Sequence, residues 1–342
     1  MLKIVGDIDF SDGFFDTGFG VGTSISSGKN PFFKLNRKAE DFWIGNFECV
    51  CSNTSCHSGI HSTQFRISPK SMDAVEHLNL YGVANNHVMQ HGPEAFNQMI
   101  NYLKIKGILY AGTKEKPSEV FEHQGKKVSV TIFNQRPENF SKDPLYWAMP
   151  EYKSLKDELE KFNDCDFRIV YVHWGIEFIN YPYIDQKQFA HYMVDSGADL
   201  VIGMHPHVLQ GFEVYKGKHI FYSLGNCVFN MPWIPTSYSI LVNVDLEREE
   251  VTYQYLRIEK DFFPSYVEAV PKQYSIEYLN SLLNICEDNE KYFMKVQYRM
   301  SQYRKANRKE IIKNMFKLKM DAISSICSDF VKRKLTNRLC IL

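Results

Sequence analysis

Six short β-rich runs in this chain each lead into polar residues, and that recurrence constrains the fold more than any other feature. Residues 2–5 lead into Gly-Asp-Ile-Asp, with Asp7 and Asp9. Residues 42–45 lead into Asn-Phe-Glu, with Asn46 and Glu48. Residues 81–84 are followed by Asn85, Asn86 and His87, and residues 168–173 end at His173. Residues 200–203 run into Met-His-Pro-His, with His205 and His207, and residues 219–223 are followed by Asn226. Open α/β sheets bind ligands at the carboxyl ends of their strands. The clusters are therefore predicted to converge on one sheet edge.

The rest of the body fits such a sheet. Further β-rich runs lie at 108–111, 128–133, 238–244 and 251–258, and helical patterns at 71–78, 93–106, 151–162 and 185–196. In the second of these helices Pro93 suits the first turn, Phe96, Met99, Ile100 and Leu103 recur at helical spacing, and Gly107 stops it. Strand–helix alternation predicts an α/β fold with a buried sheet. Residues 211–258 are richer in strands and are expected to form antiparallel hairpins that close a second sheet. From Ser275 onward there is no Pro or Gly, and two long amphipathic helices are expected.

Charge divides the chain at the same place. The 342 residues carry 40 Lys/Arg and 40 Asp/Glu. Residues 290–342 hold 14 basic against 4 acidic residues, a net of +10, so residues 1–289 carry −10. The expected regions are a catalytic-type domain over 1–265 and a basic helical appendage over 275–342. With 44% hydrophobic and 23% charged residues the composition is that of a globular protein, which excludes collagenous and disordered classes. The N-terminal MLKIVGD has no basic n-region or apolar h-region, so no secretory signal is expected. No 18-residue apolar window exists, so no transmembrane helix is expected either. Eight scattered cysteines fit a reduced chain. The expected location is cytoplasmic, with the basic tail in peripheral contact with the inner face of the membrane.

Taken singly, each polar residue has a plainer role. Asp7 is a turn or cap residue, Glu48 a solvated strand end, Asn85–Asn86 an Asx-type turn and His173 a core histidine. His205-Pro206-His207 is harder to read that way, because two imidazoles two residues apart at a strand end point together. The mixture of carboxylates, amide oxygens and imidazoles suits divalent Zn, Mn or Fe rather than calcium. The ligands exceed the needs of one tetrahedral ion, so a pair of ions is expected. The loop CVCSNTSCHSGIH, with Cys49, Cys51, Cys56, His57 and His61, lacks standard zinc-finger spacing. A cysteine-rich loop is the simpler account.

The segments GDID, GNFE, GVANNHVMQHG, VHWGIEF and GADLVIGMHPHVLQGFEVYKGKHIFYSLGNCVF, in that order, resemble the CapA family of bacterial capsule and poly-γ-glutamate synthesis proteins, relatives of calcineurin-like metallophosphoesterases. The match spans about residues 1–260. It implies a four-layer α-β-β-α sandwich, followed here by the helical C-terminal appendage, with a two-metal centre on one edge. By motif, Asp7, Asp9, Asn86, His173, His205 and His207 are implied metal ligands. Either Glu48 or Asn46 takes the bridging place, and Glu48 is favoured because a bridge between cations needs negative charge. His87 is implied to protonate a leaving group, and Glu177 matches a glutamate near the site. The chain departs from the family pattern at Gln90, where Asp is usual, and at Cys227, where Phe is usual.

The implied activity is metal-dependent hydrolysis of a phosphoester with two divalent ions. The alternatives are a non-hydrolytic polymer-binding or synthase-accessory protein, or a hydrolase of γ-glutamyl amides. The expected partners are an anionic polymer or phosphoester substrate and a polymer-synthase complex. The basic tail lacks a groove-reading motif, so no specific nucleic-acid partner is expected.

Overall fold

The computed structural model describes residues 1–137, 139–285 and 289–328. Its frame is two sheets. The first has eight strands, in the order Pro264–Tyr266, Glu250–Ile258, Tyr238–Asp245, Leu2–Ile8, Phe42–Phe47, Leu80–Gly82 and Leu109–Ala111, with Asn226–Val228 pairing beside the end of Leu2–Ile8. The second has six, in the order Phe212–Tyr215, Lys218–Phe221, Leu200–Met204, Phe167–His173, Lys126–Asn134 and Ser118–His123. The central strands of each sheet are parallel. Their carboxyl ends therefore lie along one edge of each sheet.

Strand alternation builds the layers. Ile4, Ile44 and Leu80 sit in register on one face of the first sheet and join Val130, Ile132, Ile169 and Ile202 of the second in one core. The opposite face of the second sheet carries Val170, Val172, Val201 and Ile220. These are covered by Leu155 and Leu159 of helix Tyr152–Glu160 and by Phe189, Ala190 and Met193 of helix Ile184–Asp195. Helix Pro93–Lys106 buries Ala95, Phe96, Met99 and Leu103. Burying each large aliphatic side chain contributes about 1.5–3 kcal/mol, so the period-2 pattern fixes the register strongly. The result is the expected α-β-β-α sandwich.

Several expectations need correction. The strands between Phe212 and Ile258 do not close one sheet: the Phe212–Phe221 hairpin edges the second sheet, whereas Tyr238–Tyr266 edges the first. Strand Lys218–Phe221 pairs parallel to Leu200–Met204, because its apolar face continues that sheet's core. The run at 71–78 forms only the short helix Pro69–Met72. The strand Ser118–His123 was not expected, because its charged residues blur the alternation. Among the described residues the appendage holds one long helix, Asn289–Asn314, after the short helix Ile276–Ser281, and residues 320–328 are also helical. Residues 286–288 and 329–342 of the expected appendage lie outside the described residues. Among the described residues no helix is long and apolar enough to cross a membrane.

Gly6 permits the closest approach in the sheet that carries the site. A Cβ there would lie 1.8 Å from the Gly225 carbonyl oxygen. That carbonyl accepts a hydrogen bond from the Asp7 N–H at 3.2 Å, and Asn226 pairs with Asp7 in the next register position. Gly6→Ala is predicted to lower stability by at least the roughly 1–3 kcal/mol typical of overpacking, read as a fall in thermal midpoint. An unchanged midpoint would show that the two strands are not held this close.

Candidate metal centre

The strand ends do converge. Asp7 lies in Leu2–Ile8 and Asn46 in Phe42–Phe47, paired in register, and Glu48 follows directly. His173 ends its strand beside Met204, after which the chain turns through His205, Pro206 and His207. Asp7, Glu48, His173, His205 and His207 are all buried. The pairing irregularity between Ile4 and Asp7 re-aims the end of the first strand. His205 and His207 have φ of +96° and +55°. Non-glycine residues resist that region at a cost of about 1–3 kcal/mol, and the turn brings both imidazoles back over the sheet edge.

Two donor groups share one residue. Glu48, His173 and His205 present ligand atoms within 4.8 Å of one another, and so do Asp7, Glu48 and His207. The His173 Nε2 atom lies 2.7 Å from Asn86 Oδ1, 3.0 Å from His205 Nδ1 and 3.7 Å from Glu48 Oε1. His207 Nε2 is 3.7 Å from the same Glu48 oxygen, and its Nδ1 is 3.6 Å from Asp7 Oδ2. Donors about 2.0–2.2 Å from a common cation stand roughly 3–3.5 Å apart. The spacing therefore fits ion binding.

Unsatisfied polar atoms make the same point. Both Glu48 carboxylate oxygens and His205 Nε2 are buried without a hydrogen-bond partner. Buried polar groups in native proteins are otherwise nearly always paired. Burial pushes the Asp7 carboxyl up to about 7. Burial, with the neighbouring charges of Asp7, Asp9 and Glu177, raises Glu48 well above the usual carboxylate range. Burial also lowers His173, His205 and His207, the last to about 3. The imidazoles are therefore neutral, as metal ligands must be. A divalent cation would supply the positive charge that this cluster of buried acids lacks.

The surrounding residues orient these donors. Asn226 Oδ1 lies 2.9 Å from His207 Nδ1. Accepting a hydrogen bond from Nδ1–H there leaves the Nε2 lone pair facing the centre. The His205 N–H donates to Asp7 Oδ2 at 3.1 Å. Asn46 donates to Asp7 Oδ1 at 2.7 Å, and its own Oδ1 accepts from Asn85 at 3.1 Å. Its amide is thus engaged on both sides, whereas Glu48 is not. Asn85 also donates to the Phe47 carbonyl and accepts the His87 and Val88 N–H groups. This scaffolding role has only the doubled Asn as a sequence signal. Asp9 is buried, but both oxygens accept from Ser11, at 2.9 Å each, and it joins neither donor group.

His87 stands at the edge of the cluster, with Nε2 3.9 Å from Glu48 Oε1. Its ring stacks on Phe65 at 3.6 Å, and its Nδ1 faces Gln90 Oε1 at 2.8 Å. Burial lowers it to about 4. Glu177 sits further out, half-buried near Arg136 and Arg304. The cysteine-rich loop does not join the centre: Cys49 and Cys51 are buried, Cys56 is exposed, and neither donor group contains a cysteine. His91 pins that loop through Ser55 and the Gln64 carbonyl.

Comparison with known proteins adds a lineage. The model of the bacterial capsule synthesis protein family PGA_cap matches residues 2–231. The chain is 30% identical over 230 residues to the capsule biosynthesis protein CapA of Bacillus anthracis, covering 61% of this chain and 55% of that protein. It is 29% identical over 254 residues to the PGA biosynthesis protein CapA of Bacillus subtilis (strain 168), covering 66% and 62%. The chain thus spans between half and two thirds of the length of these relatives. Among solved structures it is similar to a phosphatase from Mycoplasma pneumoniae, with 15% identity, TM-score 0.45 and coverage of 75% of this chain and 92% of that one. It is also similar to a 5′-nucleotidase from Candida albicans SC5314, with 13% identity, TM-score 0.45 and coverage of 90% and 58%.

The raised carboxyls set the pH dependence. Below about pH 7 Asp7 holds a proton that a cation must displace, and burial favours the protonated form of Glu48 as well. The histidines are already neutral and release none. Mn(II) affinity is predicted to rise with pH through about 7, with proton release on binding. Calorimetry in two buffers of different ionisation enthalpy measures both. Binding without proton release, or affinity that falls with pH, would contradict the assignment of these carboxyls.

Proposed function

The chain belongs to the bacterial capsule synthesis protein family PGA_cap, and from that membership and the geometry of the centre we propose a divalent-metal-dependent hydrolase of phosphoester type that serves surface-polymer synthesis. The observation that carries this reading is Glu48, whose unpartnered carboxylate belongs to both donor groups. One ion would be held by Glu48, His173, His205 and Asn86, and the other by Asp7, Glu48 and His207. Bound divalent ions supply an activated water near neutral pH and electrostatic stabilisation of phosphoryl oxygens.

The chain's own groups do the rest. Phe65 and Gln90 hold the His87 ring in one orientation, with Nε2 toward the centre. A neutral Gln90 does not stabilise the imidazolium as a carboxylate would. The negative charge of a bound substrate does, so His87 is protonated in the complex and donates from Nε2 to the leaving oxygen. General acid catalysis of this kind contributes about 10²–10⁴-fold. Asn85 and Asn226 act as positioning residues. Burial of the cluster excludes bulk water from the ligand atoms.

A second reading keeps the pocket and drops the turnover. Asn46 and Gln90 are both amides, which leaves the centre with less negative charge than a carboxylate-rich one. The relatives are named for capsule and PGA biosynthesis, and an accessory protein would hold the anionic polymer for a synthase. Cleavage of a γ-glutamyl amide is a third use of the same groups.

Metal analysis separates these possibilities. Purified protein is predicted to carry divalent metal, and His205→Ala and His207→Ala are each predicted to lose most of one ion. Turnover of an aryl phosphate by Mn-loaded protein is predicted to fall roughly 10²–10⁴-fold in His87→Ala with metal content unchanged. Unchanged metal in both histidine variants would remove the two-ion centre. Metal without phosphatase turnover would favour the accessory reading.

A further inference from the structure

The long C-terminal helix lies beyond the region matched by the family, yet it packs beside the metal centre. Tyr292 meets Tyr181 with ring centroids 5.7 Å apart, and Lys295 Nζ lies 3.1 Å from the Tyr181 hydroxyl. Tyr303 stacks on Phe178 at 4.6 Å and 29°. Phe178 in turn lies 6.4 Å from the His207 ring. Beyond the helix, Lys317 reaches over Phe19 at 5.5 Å. A helix of 26 residues is about 39 Å long, enough to cross the edge where both sheets end.

Two cavities open beside the centre, each joined to it through an aromatic ring. One, of about 530 Å³, is lined by Arg136, Phe140 and Lys142, and Phe140 lies 6.1 Å from the His87 ring. The other, of about 100 Å³, lies under the helix and is lined by Phe178 and Arg299. Arg136 of the first cavity donates to the Gly175 carbonyl at 2.9 Å, and Arg136 and Arg304 both act on the Glu177 carboxylate. Four cations from two segments, the loop bearing Arg136 and Lys142 and the C-terminal helix, thus surround these cavities and Glu177. An isolated phosphate would not need cations in two separate cavities. An extended polyanion would.

We propose that Lys142, Arg136, Arg304 and Arg299 form a cationic track that carries a linear polycarboxylate chain across the mouth of the metal centre, with the C-terminal helix as its outer wall. The polymer class rests on the second reading above, in which the chain holds an anionic polymer, whereas the track rests on the contacts of this helix. Rim cations set affinity and salt dependence rather than chemistry, so these residues bind and position.

The test is fluorescence anisotropy of a labelled oligoglutamate on the full-length chain, with and without Mn(II). Lys142→Glu, Arg299→Glu and Arg304→Glu are each predicted to weaken binding roughly tenfold. Lys305→Glu makes the same charge change about 200° around the helix from Tyr303 and is predicted to leave affinity within about twofold. Circular dichroism confirms folding of each variant. An equal loss in Lys305→Glu, no loss in the three track variants, or equal affinity for a single-stranded oligonucleotide would each overturn the track. Absence of Mn(II) uptake with the ordered losses intact would instead remove the metal centre and leave the track standing.

Discussion

The structure turns on one buried carboxylate. Glu48 stands at the end of a strand, out of contact with water, with two imidazoles within 3.7 Å and Asp7 beside it. With both acids ionised, nothing in reach donates to it. Isolated buried charge is expensive, and such a group must neutralise, pair or bind a cation. The three histidines of the donor groups are themselves held neutral by burial, so they offer lone pairs and no positive charge. An arrangement that is costly as it stands becomes favourable with divalent cations, and the proposed two-ion centre follows from that imbalance.

Much of the fold serves to bring that carboxylate to its neighbours. Parallel strands in two sheets place their ends at one edge, and the period-2 aliphatic pattern locks each register. Gly6 lets the strand beginning at Asn226 approach the first strand. Left-handed backbone at His205 and His207 folds both rings inward. The asparagines do quieter work: Asn85 ties two strand ends together, and Asn226 fixes the proton on His207.

Legibility in the sequence followed the range of each interaction. Alternation and strand-end polarity are local, so the sheets and the convergence of Asp7, Glu48, His173, His205 and His207 could be read directly. The His-Pro-His spacing alone could not reveal the positive φ of both histidines. The spacing of Asp9 from Asp7 does not show that both of its oxygens accept hydrogen bonds from Ser11, two residues on. That Asn46 is held by Asp7 and Asn85 while Glu48 has no hydrogen-bond partner depends on bonds between residues 39 positions apart. The hairpins split between two sheets because pairing depends on partners far along the chain. The basic helix read as an appendage, and only its contacts with Phe178 and Tyr181 bring it to the centre.

Electron paramagnetic resonance of the Mn(II)-saturated chain tests the central claim most directly. A carboxylate shared by two ions couples their spins, so the account predicts the spectrum of an exchange-coupled pair. Glu48→Gln removes the bridging charge and should leave only the six-line signal of an isolated ion. An isolated-ion spectrum from the saturated wild-type chain, or a coupled spectrum that survives in Glu48→Gln, would contradict a pair of ions bridged by Glu48.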